Sequence, residues 1–407
     1  MRRRAPTLVA ALTAALLLTG LAGARGSDVP GVSSTEILLG GTAPLSGPES
    51  AYSVVAEGAD AYFKYIDDHG GVYGRKIRYV YRDDAYDPAQ TIVQTKELVE
   101  QEHVFAIFNS VGTEHALAVR PYLNQLGVPQ LFVGSGASAI ADEAKKYPWT
   151  LGYLPSFKAE GRIYGQYIAK NRPKSRIAVL YEASDFGNDL LNGLKAGLGG
   201  NAKIVAKQSY AVSDADVTSQ ISSLRSSKAD TLMLFALPKQ VIQGFVSADK
   251  LGWRPQVFVA AVSIDPFVMK VARFNTGNRT TRGAISIAFL KDASNLKRWG
   301  KDPGVKLYYS IMKKYNPDGD PGAVANFYGM AAAYTMVDTL RRTGRNPTRA
   351  SLLTAATHLK ETTNPFLLPG IVIKTGPRDR YPLERVQMYR YLAGVWHGFG
   401  PLVAATG

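Results

Sequence analysis

The residues in this chain that could do chemistry are small hydroxyls and glycines, and they recur in turns that follow apolar runs. Ser46 and Gly47 lead to Tyr52, Gly112 precedes Thr113, and Ser135, Gly136, Ala137 and Ser138 stand together. Each group sits where an apolar strand-like run gives way to an amphipathic helical pattern. A helix N-terminus presents unpaired backbone N–H groups and the positive end of the helix dipole, which suits a carboxylate. A small hydroxyl adds a donor there without blocking approach. Helix capping asks for the same residue types, so the turns by themselves leave both readings open.

Catalytic patterns are weaker. Residues 134–139, Gly-Ser-Gly-Ala-Ser-Ala, formally match a GxGxxA dinucleotide fingerprint. They follow the fourth strand-like run rather than the first, and no acid-ended strand lies about 20 residues on to hold a ribose. No GxxxxGK[ST], GxSxG or HExxH occurs, and the histidines at 69, 103, 115, 358 and 397 are dispersed. His115 alone falls near the proposed turns, where a surface or capping role serves equally. Asp83-Asp84 fits turn capping ahead of Pro88 better than a metal or an acid pair. Nothing assembles a nucleophile, a base and an oxyanion site, so no enzyme, cofactor or metal is expected.

The elements that must position these turns are legible from residue 37 onward. Residues 37–41 are an apolar run, stopped by Ala43-Pro44-Leu45-Ser46-Gly47-Pro48. Val55, Ala59, Tyr62, Phe63 and Ile66 then recur at helical spacing, Gly70-Gly71 closes the helix, and Ile77, Tyr79 and Tyr81 alternate as a strand. Helices are expected over 88–103, with Ile92, Thr95, Val99 and Glu102 on one face, and over 113–126. Strands are expected at 104–108 and 130–133. A second βα series begins after Pro173, with strands at 176–181, 204–210, 231–237 and 257–262. Repeated βα units with short turns predict parallel sheets, with ligands at the carboxyl ends of the strands. Two such series in 407 residues predict an α/β protein of two lobes. The later chain is expected to return to the first lobe through helices at 303–315 and 323–342. Strands at 371–374 and 387–391 would then complete the second.

Composition narrows the setting. Arg2-Arg3-Arg4, an apolar run over 8–21 and Ala22-Gly23-Ala24 read as a secretory signal peptide at 1–24. Zero cysteines mean no disulfides and no thiol to carry a lipid anchor, so the mature protein is expected free in a periplasm or held at the surface by other means. The formal charge is +15, and removing residues 1–24, with three Arg and no acid, leaves +12. Its Lys and Arg are scattered without interleaved aromatics, which argues for a solvated basic surface and against nucleic acid.

The three motifs Pro44-Leu45-Ser46-Gly47-Pro48, residues 70–77 (GGVYGRKI) and residues 82–88 (RDDAYDP) carry a resemblance by their joint spacing. With Val128-Pro129-Gln130-Leu131-Phe132, residues 178–181, Asp185-Phe186-Gly187 and Leu368-Pro369-Gly370-Ile371, the chain after residue 35 resembles the Leu/Ile/Val-type extracytoplasmic solute-binding proteins of ABC importers. The resemblance implies a type I periplasmic-binding-protein fold in which each lobe is a parallel sheet flanked by helices. Lobe 1 would hold 35–155 and 287–370, and lobe 2 would hold 156–286 and 371–402. A hinge of three crossings is expected near 153–157, 285–289 and 370–373. It implies a monomer that delivers a small carboxylate to a membrane permease, or a module of the same fold that signals to a membrane sensor. By position it places Thr113 and its amide on the ligand carboxylate, with Ser46, Ser135, Ala137 and Ser138 beside it and Tyr52 and Phe186 as aromatic walls. Ser263 falls where amino-acid-binding relatives carry an acid for the ammonium. No acid follows until Asp265, and an unpaired ammonium in a closed cleft costs several kcal/mol. An aliphatic or aromatic carboxylate without an amine therefore stands beside a branched-chain amino acid as a candidate ligand.

Overall fold

Apolar runs interrupted by glycine, proline and serine become the strands of two main sheets. The computed structural model describes residues 29–406, so the leader expected at 1–24 lies outside the described residues. The first sheet contains β1 (Glu36–Ala43), β2 (Lys76–Asp83), β3 (Ala106–Phe108), β4 (Gln130–Val133) and β5 (Thr150–Gly152). Its order is β2-β1-β3-β4-β5 and every pairing is parallel. Helices α1 (Ser53–Asp68), α2 (Pro88–Glu100), α3 (Thr113–Gln125) and the short α4 (Ser138–Asp142) connect these strands.

Helix α1 buries Val55, Ala59, Tyr62, Phe63 and Ile66, the face its spacing predicts. Helix α2 is rotated from expectation. It buries Thr91, Thr95, Leu98 and Val99, whereas Ile92 faces outward. The rotation brings the Thr91 hydroxyl onto the buried Asp84 carboxylate at 3.0 Å, and that local bond offsets the exposed isoleucine.

The second lobe contains α5 (Phe157–Asn171), β6 (Arg176–Glu182), α6 (Asp185–Gly197), β7 (Lys203–Tyr210), α7 (Thr218–Ser226), β8 (Thr231–Phe235), α8 (Pro238–Lys250), β9 (Gln256–Val259), α9 (Pro266–Thr276) and β10 (Ile285–Ala288). The chain then returns through α10 (Leu296–Trp299), α11 (Pro303–Tyr315), α12 (Val324–Thr343), α13 (Arg349–Ala356), β11 (Lys360–Glu361) and β12 (Ile373–Lys374) before ending in β13 (Arg385–Leu392) and β14 (Val395–Ala404). The second sheet runs β14-β13-β10-β9-β8-β6-β7, parallel from β10 to β7. Its far edge is the antiparallel pair β13–β14, beyond the parallel pattern expected from sequence.

One expected strand moves. Residues 373–374 pair antiparallel with β11, not with the second sheet. The segment after them stays on the first lobe: Arg380 donates to the Pro148 carbonyl and Tyr381 to Asp142. Leu383 still bridges Ile373, so the third crossing falls between Leu383 and the start of β13 at Arg385, later than 370–373. The other two crossings follow β5, in the first sheet, and β10, in the second.

Glycine permits close contact between two helices of the second lobe. Helices α5 and α6 carry the same four-residue glycine spacing, Gly161/Gly165 and Gly193/Gly197. A methyl at Gly161 would meet the Leu190 carbonyl, and one at Gly193 would meet the Lys158 carbonyl. The two backbones touch with no side chain between them, so overpacking has no flexible neighbour to relieve it. Gly193→Ala is expected to destabilise the fold by about 1–3 kcal/mol, read as a lower urea midpoint. An unchanged midpoint would show that the contact gives way freely.

Candidate functional site

The carboxyl ends of both parallel sheets face one another across a cleft, as the parallel topology dictates. A cavity of about 430 Å³ lies there, lined from the first lobe by Tyr52, Val55, Gly112 and Thr113 and from the second by Phe157, Phe186, Val262 and Phe267. This volume suits one small organic molecule. Phe157 and Phe186 meet edge to face at 4.9 Å, a rigid apolar wall.

Cross-lobe hydrogen bonds hold the cleft shut, and most of them end on helix N-termini. Glu114 of α3 accepts from the Asp185 amide that opens α6, at 2.9 Å. Asp189 of α6 accepts the Ser138 amide at 2.6 Å and its hydroxyl at 2.9 Å, closing the start of α4. Asp265 caps its own helix through the Phe267 amide at 2.8 Å and reaches the Ala325 amide of α12 at 3.3 Å. The Tyr52 hydroxyl donates to the Val262 carbonyl at 3.0 Å. Carboxylates of one lobe thus satisfy N–H groups that the other lobe leaves open.

Helix α3 is different. Its N-cap is Gly112, at φ 111°, and no side chain caps it. A residue with a Cβ would strain that backbone and strike the His115 ring, so glycine is required. The Thr113 hydroxyl shares a 2.7 Å hydrogen bond with the Ser135 hydroxyl, which also accepts from the Ala137 amide at 3.1 Å. This fixes the Thr113 side chain at the open end of the helix.

The expected site residues separate accordingly. Thr113, Tyr52 and Phe186 line one cavity. Ser135 and Ala137 are buried behind Thr113 and support it. Ser138 is occupied by Asp189. Ser46 is exposed, and its hydroxyl donates to Asp83 at 2.6 Å, which takes it away from the cavity. Ser263 is fully buried and donates to the Ala236 carbonyl at 2.7 Å, so it too faces protein. His115 is buried, which lowers its pKa and leaves the ring neutral near pH 7.

Apart from Asp265, sequence reading missed the buried acids of the cleft wall and Glu49, whose pKa the nearby Glu182 charge affects. Glu49 is fully buried, and neither of its carboxyl oxygens has a partner among the described residues. Burial and then the charge of Glu182, opposed by Lys239, push it up to about 8. Burial likewise raises Asp265 to about 6 and Glu160 to about 7. Glu182 is the last residue of β6, at the carboxyl end of a central strand, which is the signal that could have found it. The lysine of the cavity wall, Lys291, is held by Asp302 at 2.8 Å and by the Pro365 carbonyl at 2.7 Å. Among the described residues no group of His, Cys, Asp and Glu side chains could hold a metal ion.

A cleft of this build encloses a small molecule between two halves, which is the working part of a solute receptor. The chain belongs to the periplasmic binding protein family, whose model matches residues 36–391; members capture solutes and are not enzymes. It is 27% identical over 320 residues to Leu/Ile/Val-binding protein homolog 7 of Brucella suis, covering 75% of this chain and 74% of that protein. Its fold matches a branched-chain amino acid ABC transporter protein of Thermus thermophilus with bound valine, at TM-score 0.79 and 19% identity over 91% of this chain and 96% of that one. It also matches an ABC transporter solute-binding protein of Rhodopseudomonas palustris in complex with 3,4-dihydroxy benzoic acid. There the TM-score is 0.75 and the identity 20%, over 92% of this chain and 99% of that one.

The Glu49 shift has a sign that can be checked. Its folded value lies above the unfolded one near 4.5. The stability linked to its protonation is therefore complete below that value and lost as pH rises through about 8. Glu49→Gln should remove part of the stability loss between about pH 5 and 9, on the order of a few kcal/mol at ~1.4 kcal/mol per pKa unit. Urea unfolding of both proteins across that range measures it. Parallel stability curves would show that Glu49 is ionised and compensated in the folded state.

Proposed function

We propose that this protein is the extracytoplasmic substrate-binding component of an ABC importer. It captures a small carboxylate with an apolar body between its lobes and hands it to a membrane permease. The observation that carries this reading is the open N-terminus of α3. The neighbouring N-termini of α4, α6 and α12 receive carboxylates from the opposite lobe, whereas α3 offers its amides and the Thr113 hydroxyl to the cavity. A ligand carboxylate would complete the same pattern. The molecules bound in the two structural neighbours, valine and dihydroxybenzoic acid, both carry one.

The remaining wall supports an apolar body, through Val55, Phe157, Phe186, Val262 and Phe289. An ammonium finds no free acid around Ser263, because both Asp265 oxygens already accept backbone amides. We therefore favour an amine-free aliphatic or aromatic acid over a plain branched-chain amino acid. Lobe boundaries near residues 155 and 286, with a final crossing at 383–385, fit a hinge that bends about three strands. The loaded, closed form is what a permease would distinguish from the empty one, since a ligand shifts that equilibrium only by binding the closed form better. No helix among the described residues is long and apolar enough to cross a membrane.

A thermal-shift screen of branched-chain amino acids against aliphatic and aromatic acids tests the ligand class. A true ligand at 100 times its dissociation constant adds roughly 2.7 kcal/mol of stability. A shift with leucine or valine and none with amine-free acids would overturn the preference. Thr113→Ala should weaken binding of the responding acid by roughly ten- to a hundredfold, for the loss of one hydrogen bond to a charged group worth ~1.5–3 kcal/mol, with little change in the unliganded melt. Unaltered affinity would remove Thr113 from the site.

A further inference from the structure

The cavity wall has a second polar region, built from elements that the carboxylate end does not use. It forms where the chain leaves β10 and passes beside β13. Asp292 and Tyr389 both line the cavity there, and both are more than nine-tenths buried, at 9% and 2% exposure. Asp292 Oδ1 accepts the Ser294 amide at 3.0 Å and hydroxyl at 2.6 Å, whereas Oδ2 has no partner among the described residues. The Tyr389 hydroxyl has none either. Other polar groups nearby are satisfied: the Trp396 indole donates to the Ile264 carbonyl at 2.9 Å, and Lys291 is held by Asp302. Buried polar groups in native interiors are mostly hydrogen-bonded, and the charge of Asp292 reaches the Tyr389 phenol.

We propose that Asp292 and Tyr389 form a hydroxyl-reading subsite, so that the ligand carries a hydroxyl group remote from its carboxylate. The inference rests on the carboxylate reading above and specifies its chemistry further. Asp292 Oδ2 offers an acceptor, and the tyrosine proton seeks one. A hydroxyl serves both, donating to the aspartate and accepting from the tyrosine. An ammonium has three donors and no acceptor, so it would leave the tyrosine proton unmatched; an ether or carbonyl would leave the aspartate unmatched. Both side chains are pre-positioned. Asp292 is pinned by Ser294, and Tyr389 is fixed in register against Ser286 of β10 and Gly398 of β14. Burial, opposed by the Arg298 charge and reinforced by that of Asp292, holds the Tyr389 phenol up to about 12, so it keeps its proton.

Matched acids test this by calorimetry on the full mature protein: hexanoate, omega-hydroxyhexanoate and omega-aminohexanoate, with phenylpropanoate and para-hydroxyphenylpropanoate as the aromatic pair. The hydroxylated member of the better-fitting pair should bind at least about tenfold more tightly than its parent, because sites built to bond a hydroxyl reject analogues lacking it. The amine should gain nothing over hexanoate. Tyr389→Phe and Asp292→Asn should each draw the ratio of the two dissociation constants towards one, a ratio that a general loss of folding would not alter selectively. Parents and hydroxyl acids binding equally, or the amine binding best, would overturn the subsite and leave the carboxylate reading intact. If no acid binds at all, the carboxylate reading fails first and this inference falls with it.

Discussion

The structure depends on one interaction, the meeting of a carboxylate with backbone N–H groups at a helix N-terminus. Parallel βα units point such ends toward the cleft, because each helix begins where a strand ends. Those amides have no intrahelical partner, and closing the lobes would strand them away from water. Glu114, Asp189 and Asp265 resolve this by crossing from one lobe to the other. Asp265 joins two helices at once, since it caps α9 and also bonds α12. Lobe closure uses this chemistry, and in the proposed reading a ligand carboxylate would use it too, at the end of α3 that no side chain caps.

This arrangement also explains why the wall lacks an available cation. A lysine or arginine on the ligand would bring its own desolvation on closing and would bind anions of many shapes. Peptide N–H groups are fixed by the helix, so they need no reorganisation when the ligand arrives. Gly112 is the structural condition for this, because only glycine admits the φ of 111° and leaves room for His115. The Thr113–Ser135–Ala137 relay then holds the hydroxyl in place from behind.

Much of the fold was legible because its signals are local. The pattern over 37–88, the Pro-started helices and the strand at 130–133 each depend on residues within one or two turns. The position of Thr113 on a cleft-facing helix end was legible for the same reason. Other features depend on partners far along the chain. Ser46 and Asp83 are neighbours only because β1 and β2 align in register, and Ser138 is capped by an acid from the other lobe. The burial of Glu49 inside a Pro/Ser turn has no local sign. The third crossing was misplaced for a similar reason: Ile373 is apolar enough for either sheet, and it is the long-range contacts of Arg380 and Tyr381 that keep the segment on the first lobe.

The charge distribution follows from the same geometry. The chain carries +15 overall, yet Glu160, Glu182, Asp265 and Asp292 line the cavity. Burial raises the pKa of each of these four acids, so the interior is less negative than its composition suggests. An anionic ligand would therefore meet a weakly attractive exterior, a wall whose buried acids ionise less readily, and a local concentration of N–H dipoles at α3. No single ion pair fixes it there. Binding strength then depends on how completely the lobes exclude water around the carboxylate, which makes affinity a property of closure. Opening the cleft re-solvates that end and weakens the grip at once, as a carrier that must surrender its cargo requires.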